Sequence, residues 1–420
     1  MDTTQSHTIL IVSSELDVAQ AVSRLGKLYP IQHWQFIYLL EDLLGQAGEA
    51  QKREGTFIIR DFAVHAEVEA KFEQIASMYA VTAAIPNDEF AVWIAAWAND
   101  RWQLPGLTFD VAARFRDKKR MKQIAQQAGI PTAREISMDA IHQGEATFPL
   151  VLKPRSLAGS VGVRIISDAS QLAAVSIAGS DEYRDMDEQQ YFIESYNPQP
   201  LYQIDAVVLQ GRLAFLSVGE YIGKPIDYLN ECPLGYLSVT DDHLQRFWRP
   251  FTAKILSAFD GPDGVYHIEA FGDAGEGAEL LEIAFRPGSG STIEMIQFAW
   301  GLNPDLGLVH LAAQLGLVGD VHFGRQAEAY GYMMFPKRHL AEETLYVTEV
   351  ALPGIDRVPT LKMHKTRHRG DIASGEFYCH KDSLGVFVFS GDRSGVARDL
   401  KRIVEEYRVY AGPRQADCQS

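Results

Sequence analysis

Thr8-Ile9-Leu10-Ile11-Val12 is an apolar run of strand length, and residues 8–13 are expected to form a buried strand. Leu16 to Leu25 continues with helical spacing, and Phe57-Ile58-Ile59-Arg60 reads as another short strand. Apolar positions at Val64, Val68, Phe72, Ile75, Ala76 and Tyr79 share one face of a helix. Strands alternating with helices predict a small open α/β domain over residues 1–110. Asp110 to Gly129 predicts one helix with a basic face of Arg114, Arg116, Lys118, Lys119, Arg120 and Lys122, ended by Gly129-Ile130-Pro131. Phe148 to Pro154 reads as a strand with Lys153 at its exit. A loop of small residues follows, and Arg164-Ile165-Ile166 resumes strand character. This is not a P-loop, because it lacks a Gly-Lys-Ser/Thr ending and a following helix.

Tyr191 to Tyr196 predicts a strand stopped by Asn197-Pro198, and Gln210-Gly211 is a hairpin turn between residues 201–209 and 212–218. Residues 219–242 read as one long irregular loop. A loop of that length is commonly functional or disordered. Its Glu220, Lys224, Asp227, Tyr228 and Glu231 suit substrate selection, with a solvated loop as the equal alternative. Helices are expected over 247–259, 307–317 and 395–410, and strands at 333–335, 345–347 and 384–390. These elements suggest a β-rich C-terminal unit. The chain thus divides into 1–110, 111–218 with the central sheet and loop, and 219–420.

Period two also organises the most informative acidic residues. His267, Glu269 and Phe271 share one face of a strand, and Leu280, Glu282 and Ala284 share one face of the next. The turn-rich link Gly272 to Gly277 makes them a hairpin. Two carboxylates pointing into one space repel, and one takes up a proton unless a cation intervenes. Hard carboxylate oxygens suit magnesium. Arg286 and the Gly288-Ser289-Gly290 turn add charge and close backbone approach for a phosphate. Taken alone, the pair also fits cross-strand surface carboxylates beside lysines or arginines. His267 reads as a wall of a pocket or as a satisfied core histidine, the latter preferred. His364 and His368 have helical ligand spacing, but no third ligand is near and the stretch reads as a polar loop.

Composition narrows the classes. A chain of 420 residues exceeds one ordinary domain, and 46% hydrophobic with 22% charged residues fits a soluble globular protein. The formal net charge of -16 argues against a nucleic-acid or anionic-membrane surface. It leaves room for a nucleotide in a local basic pocket. Cys232, Cys379 and Cys418 are few, odd in number and far apart, which suggests a reducing, cytoplasmic setting without disulfides. No basic leader precedes residues 8–12, and no run of 18 apolar residues occurs.

Four segments in order carry a resemblance. They are Asp117-Lys118 through Gly129-Ile130-Pro131-Thr132; Pro149 to Pro154 followed by Ser160-Val161-Gly162-Val163; Phe192 to Tyr196; and His267-Ile268-Glu269 with Glu282-Ile283 through Arg286-Pro287-Gly288. Over roughly residues 8–410 this resembles the ATP-grasp ligases. The resemblance implies an α/β fold of α+β subdomains: a pre-ATP-grasp domain, a central grasp subdomain and a β-rich C-terminal one. It implies ATP, with Lys118 and Lys153 on its phosphates. Ser156, Gly159 and Ser160 would form a lid, and the backbone of Glu194, Ser195 and Tyr196 would read adenine. One or two Mg²⁺ ions, replaceable by Mn²⁺, would sit on Glu269 and Glu282. Arg286 would hold the transferring phosphoryl group or the substrate carboxylate. Two positions depart from the pattern. Ala284 stands where the family often has a metal-binding Asn, and Leu201 stands where an acid often reaches the ribose. Asp205 matches a recurrent acid that either binds or braces. The implied reaction joins a small-molecule carboxylate to an amine through an acylphosphate, in the manner of stand-alone amino-acid ligases. Purine-pathway ligases and a non-catalytic nucleotide binder are the alternatives, and a homodimer is compatible with the family.

Overall fold

The computed structural model describes residues 4–48, 50–177, 191–275, 277–288, 291–317, 321, 323–325, 327–375 and 383–414. Ser289, Gly290, Cys379 and Cys418 lie outside them. Cys232 is exposed and free.

The first sheet is parallel, in the order β3 (Thr56–Ile59), β2 (Gln35–Glu41), β1 (Thr8–Ser13), β4 (Ala83–Pro86). It is sandwiched because successive residues of β1 point to opposite faces and both faces are apolar. Ile9 and Ile11 pack with Val22 and Leu25 of α1 (Val18–Leu28). Leu10 and Val12 pack with Phe72 and Ile75 of α2 (His65–Met78) and Ala95 of α3 (Ala91–Trp102). Being covered on both sides, β2 has no polar alternation, so periodicity did not reveal it.

The single helix expected over 110–129 is two helices, α4 (Phe109–Arg116) and α5 (Lys118–Gln127). Asp117 breaks them with extended backbone (φ -93°, ψ 105°), and its side chain accepts from the Lys119 and Arg120 amides. An N-cap carboxylate satisfies helix-start amides that would otherwise lack partners. The break turns Arg116, Lys118 and Lys122 inward, so half of the expected basic face is buried.

After α6 (Met138–His142), a three-stranded antiparallel sheet forms in the order β6 (Arg164–Ile166), β5 (Leu150–Pro154), β7 (Tyr191–Ser195). With α7 (Ala169–Ile177) it encloses its own core of Leu150, Leu152, Ile166, Leu172 and Ile193.

The largest sheet has eight strands. It begins with the hairpin β8 (Leu201–Leu209) and β9 (Arg212–Ile222), whose Gln210 and Gly211 both have positive φ (52° and 68°), as a tight hairpin turn requires. The long loop expected over 219–242 is mostly ordered secondary structure. It holds the end of β9, α8 (Pro225–Tyr228), β10 (Leu234–Ser238) and α9 (Asp241–His243). The division drawn at residue 218 falls inside β9. Next come α10 (Arg249–Phe259), β11 (Gly264–Phe271), β12 (Glu279–Ala284), α11 (Thr292–Trp300), α12 (Leu306–Gln314) and β13 (Ala329–Pro336). The chain ends with β14 (Tyr346–Ala351), β15 (Leu361–Thr366), β16 (Ser383–Gly391), α13 (Arg393–Glu406) and β17 (Arg408–Gly412). The sheet order is β12-β11-β8-β9-β10-β13-β16-β15, and β14 pairs with β17 separately. The expected polar loop at 362–369 is largely β15, so His364 and His368 do not lie on a helix. Among the described residues no helix is long and apolar enough to cross a membrane.

Helix α12 packs on the first sheet, since Leu308 and Leu311, with Leu315 just beyond the helix, join the core of β1 and α1. On the same helix His310 is buried; its Nδ1 accepts the Val265 amide at 3.1 Å, and its ring meets Phe285 edge-on at 4.8 Å. Burial, helped by Arg286, pushes its pKa down to about 3. The unfolded chain therefore binds a proton near pH 6.5 that the folded chain refuses. Stability from this group is complete above about pH 6.5 and is lost as pH falls toward 3. By pH 5 the loss amounts to about 2 kcal/mol. Thermal melts of the wild type should fall between pH 7 and pH 5 more steeply than those of His310→Gln. Identical slopes would show that His310 protonates freely in the fold.

Candidate active site

A cleft of about 340 Å³ separates the three-stranded sheet and its loop from the β12-β11-β8 edge of the large sheet. Lys118, Lys153, Gly159, Ser160, Glu194, Ser195, Tyr196, Glu269 and Glu282 all line it. Ser156 and Arg286 are not among its lining residues. Leu201 also faces this cleft, as do Glu220 and Lys224 from the segment after β8.

The acidic pair is brought together by strand register. Glu269 of β11 lies directly opposite Glu282 of β12, and the register slips just after Glu269. Cross-strand partners share a face, so both carboxylates reach the cleft wall. Each has a compensating neighbour. Tyr221 donates to Glu269 Oε1 at 2.7 Å, and His267 Nε2 is 3.6 Å from the same oxygen. Lys118 Nζ is 3.3 Å from Glu282. Burial pushes the Glu282 carboxyl up, but Lys118 above all holds it below the usual range. His267 is buried, as a core histidine would be, with Nδ1 3.3 Å from Asp205. Burial alone would lower its pKa, but Asp205 and Glu269 raise it to about 9.

Asp205 braces. It is fully buried and accepts from Gln203 at 2.7 Å and from the Gly288 amide at 2.9 Å. Gln203 in turn donates to Thr292 and accepts from Tyr332 at 2.9 Å. A Cβ on Gly288 would sit 2.6 Å from Asp205 Oδ1, so only glycine permits this approach. The close backbone contact expected of the 288–290 turn is thus made, within the described residues, to Asp205.

On the opposite wall, Lys153 is buried at the end of β5 and forms an ion pair with Glu194; its ammonium is 5.4 Å from the Phe192 ring. Lys122 is 3.2 Å from Glu194. Burial raises the Glu194 carboxyl, and the two lysines hold it below its ordinary value. Burial first, then Lys153, lowers Lys122 to about 8. The side chain of Glu194 is therefore engaged between lysines, and the Ser195 amide donates to the Arg134 carbonyl at 2.9 Å.

The 155–163 loop is clamped by the joint between α4 and α5. The Lys118 amide donates to the Arg155 carbonyl at 2.9 Å, and Lys118 Nζ donates to the Leu157 carbonyl at 2.7 Å. Arg116 donates to the Ser156 carbonyl at 2.5 Å, and Asp117 pairs with Arg155. Beyond the clamp, Gly159 and Ser160 take positive φ (65° and 62°) and face the cleft.

Arg286 pairs with neither Glu269 nor Glu282. Its Nε donates to Glu89 Oε2 at 2.7 Å, and its Nη1 donates to the Pro287 carbonyl at 2.8 Å. Glu89 also pairs with Arg116. Burial pushes Glu89 up, while Arg116, Arg286 and Lys118 together hold it down at about 2. Sequence reasoning missed Glu89, Lys122 as a partner of Glu194, and Tyr221. In Asn87-Asp88-Glu89, ahead of a helix, an acid looks like ordinary helix-start chemistry. Among the described residues no group of three or more His, Cys, Asp or Glu forms a protein cage for a metal. Two carboxylates are enough for magnesium, which keeps waters and phosphate oxygens as its other ligands.

No profile of a known protein family matches the chain. The chain is 31% identical over 376 residues to alanine–anticapsin ligase of Bacillus subtilis, covering 82% of this chain and 75% of that protein. The crystal structure of an L-amino acid ligase from Bacillus licheniformis superposes with a TM-score of 0.71 at 16% identity, covering 97% of this chain and 99% of that one. The biotin carboxylase domain of Hydrogenobacter thermophilus 2-oxoglutarate carboxylase, crystallised with MgADP, ADP and bicarbonate, superposes at 0.65 with 13% identity, covering 96% and 90%. The two solved structures establish likeness of fold.

Proposed function

Because the chain belongs to the ATP-grasp carboxylate–amine ligases, we propose that it joins two amino acids, or an amino-acid-like acid and an amine, through an acylphosphate. The observation that carries this reading is the registered pair Glu269 and Glu282, facing Lys118, Lys153 and the 155–163 loop across one cleft. The alanine ligase among its relatives supports an amino-acid substrate.

A substrate carboxylate oxygen attacks the γ-phosphorus of ATP, the bond to the bridging oxygen breaks, and ADP leaves. The amine lone pair then attacks the acyl carbon, the C–O bond to phosphate breaks, inorganic phosphate leaves, and the ammonium proton passes to solvent. The residues chiefly position groups and offset charge, as other phosphoryl transfers require. Lys118 and Lys153 offset the phosphates as point charges. When Lys153 turns toward a phosphate, Lys122 keeps Glu194 neutralised. Gly159 and Ser160 close over the phosphates and exclude water. Glu269 and Glu282 are the residues that would hold magnesium, which when bound neutralises phosphate oxygens. With Ala284 in place of an Asn ligand, Glu269 and Glu282 are the side chains that would hold the ion or ions.

The test is phosphate release from Mg-ATP across amino acids supplied singly and in pairs, with mass spectrometry of the products. The expected outcome is release that depends on a particular pair, together with a new amide. Nucleotide binding without release for any pair would favour a binder that has lost its chemistry.

A further inference from the structure

We propose that Glu89, in the loop between β4 and α3, is a positioning residue that couples the loop over the cleft to Arg286. This rests on the ligase reading above.

One carboxylate holds two guanidinium groups. Oε1 takes Arg116 Nη1, and Oε2 takes Arg286 Nε at 2.7 Å. The two arginines come from separate elements and lead to different segments beside the cleft. Arg116 passes through its other nitrogen to the Ser156 carbonyl, at the root of the phosphate loop. Arg286 passes to the Pro287 carbonyl, and the next residue, Gly288, is bound by Asp205, which holds His267. The same ring of His267 meets Glu269. Glu89 thus joins Arg116 and Arg286 through its two carboxylate oxygens.

Its own placement is rigid. The preceding residue, Asp88, accepts from Ser13 Oγ at 2.9 Å and from the Ser14 amide at 2.7 Å, which pins the loop to the end of β1. It also accepts from the Phe90 amide at 3.1 Å. A site held on regular elements by locked neighbours is positioned more finely than one on a free loop. Glu89 and Arg116 are buried and the Arg286 side chain is 14% exposed, and removing one partner from a buried pair leaves an uncompensated charge. Two arginines from different elements, one reaching the root of the 155–163 loop and the other the Pro287 carbonyl, make it a crosspiece.

Shortening this crosspiece tests the idea. Glu89→Asp keeps the charge but withdraws it by about 1.5 Å, so it cannot span both guanidinium groups. In the full-length protein, kcat for the acid–amine pair should fall by about 100-fold, the scale of a 1 Å misplacement. Affinity for a non-hydrolysable ATP analogue with Mg²⁺ should stay within about threefold, because Lys118 and Lys153 are untouched. The double variant Glu89→Asp/Arg286→Lys should be no slower than Arg286→Lys alone, since residues acting as one unit are not additive. Amide exchange across residues 155–163 should rise in Glu89→Asp with or without substrates. Wild-type kcat, additive losses or unchanged exchange would each overturn the proposal. Failure of both Glu89→Asp and Glu89→Gln to fold would assign Glu89 to stability and overturn it too. Product analysis of the wild type separates the two levels: if no acid–amine pair gives an amide the ligase reading fails, and if the wild type makes the amide while Glu89→Asp is normal only the Glu89 inference fails.

Discussion

Glu282→Gln is expected to lower turnover by about 10³-fold or more while the protein melts within a few degrees of wild type. The substitution keeps the shape of the side chain and removes one charge. Glu282 is a cross-strand partner of Glu269 on the cleft wall, so the amide would leave a single carboxylate where a divalent cation needs charge compensation. The structural loss is small. Lys118 loses its partner at 3.3 Å but retains the Leu157 carbonyl at 2.7 Å, and the Glu282 side chain is 23% exposed, which screens the pair. The Glu282 carboxyl lies below its ordinary range, so it stays ionised at neutral and mildly acid pH, and no acid loss of activity above about pH 5 should trace to it. Phosphate release and its Mg²⁺ dependence are the measurements. A variant that still turns over would remove Glu282 from the metal site and, with it, the reading of the acidic pair.

Lys153→Ala should weaken binding of a Mg-ATP analogue by about 100-fold, the worth of a charge-assisted contact in a buried site. The ammonium is buried at the exit of β5, beside Phe192 and against Glu194. Its removal does not strand Glu194, because Lys122 remains 3.2 Å away. Folding should therefore survive, and calorimetry can read affinity without a stability artefact. Glu194→Ala is the informative contrast. It leaves Lys122 and Lys153 buried together without a carboxylate, and should lower the melting temperature more than Lys153→Ala does. Unchanged nucleotide affinity in Lys153→Ala would take Lys153 out of the site.

Much of the site is local and could be read from residues alone. The alternation already put two carboxylates on one face, although the bulge just after Glu269 turns Leu280 away from Glu282 into the core beside Ile268 and Ala270, and a small-residue loop after Lys153 signalled a close approach. Asp205 was noticed without a role, because whether an acid binds or braces depends on who faces it. That is settled by Gln203, His267 and the Gly288 amide. The helix over 110–129 was misjudged at one residue. Asp117 fits helical periodicity, yet it caps a second helix. That break decides whether Arg116 and Lys118 look at water or inward, Arg116 to Glu89 and Lys118 to the cleft.

By itself, then, the sequence determined which segments are strands and helices wherever apolar periodicity is strong. It also determined the acidic hairpin and the lysine ahead of its loop, since both depend on residues a few positions apart, and the family resemblance, which rests on short motifs in order along the chain. Only the tertiary structure decided that Glu89 joins Arg116 to Arg286. It alone decided that Lys122 shares Glu194 with Lys153, that residues 219–222 and 234–238 enter the eight-stranded sheet, and that α12 packs on the first one. Each of these joins residues tens to hundreds of positions apart. Burial turns such pairings into strong constraints, because a charge or strand edge taken out of water must find its partner wherever the fold provides one.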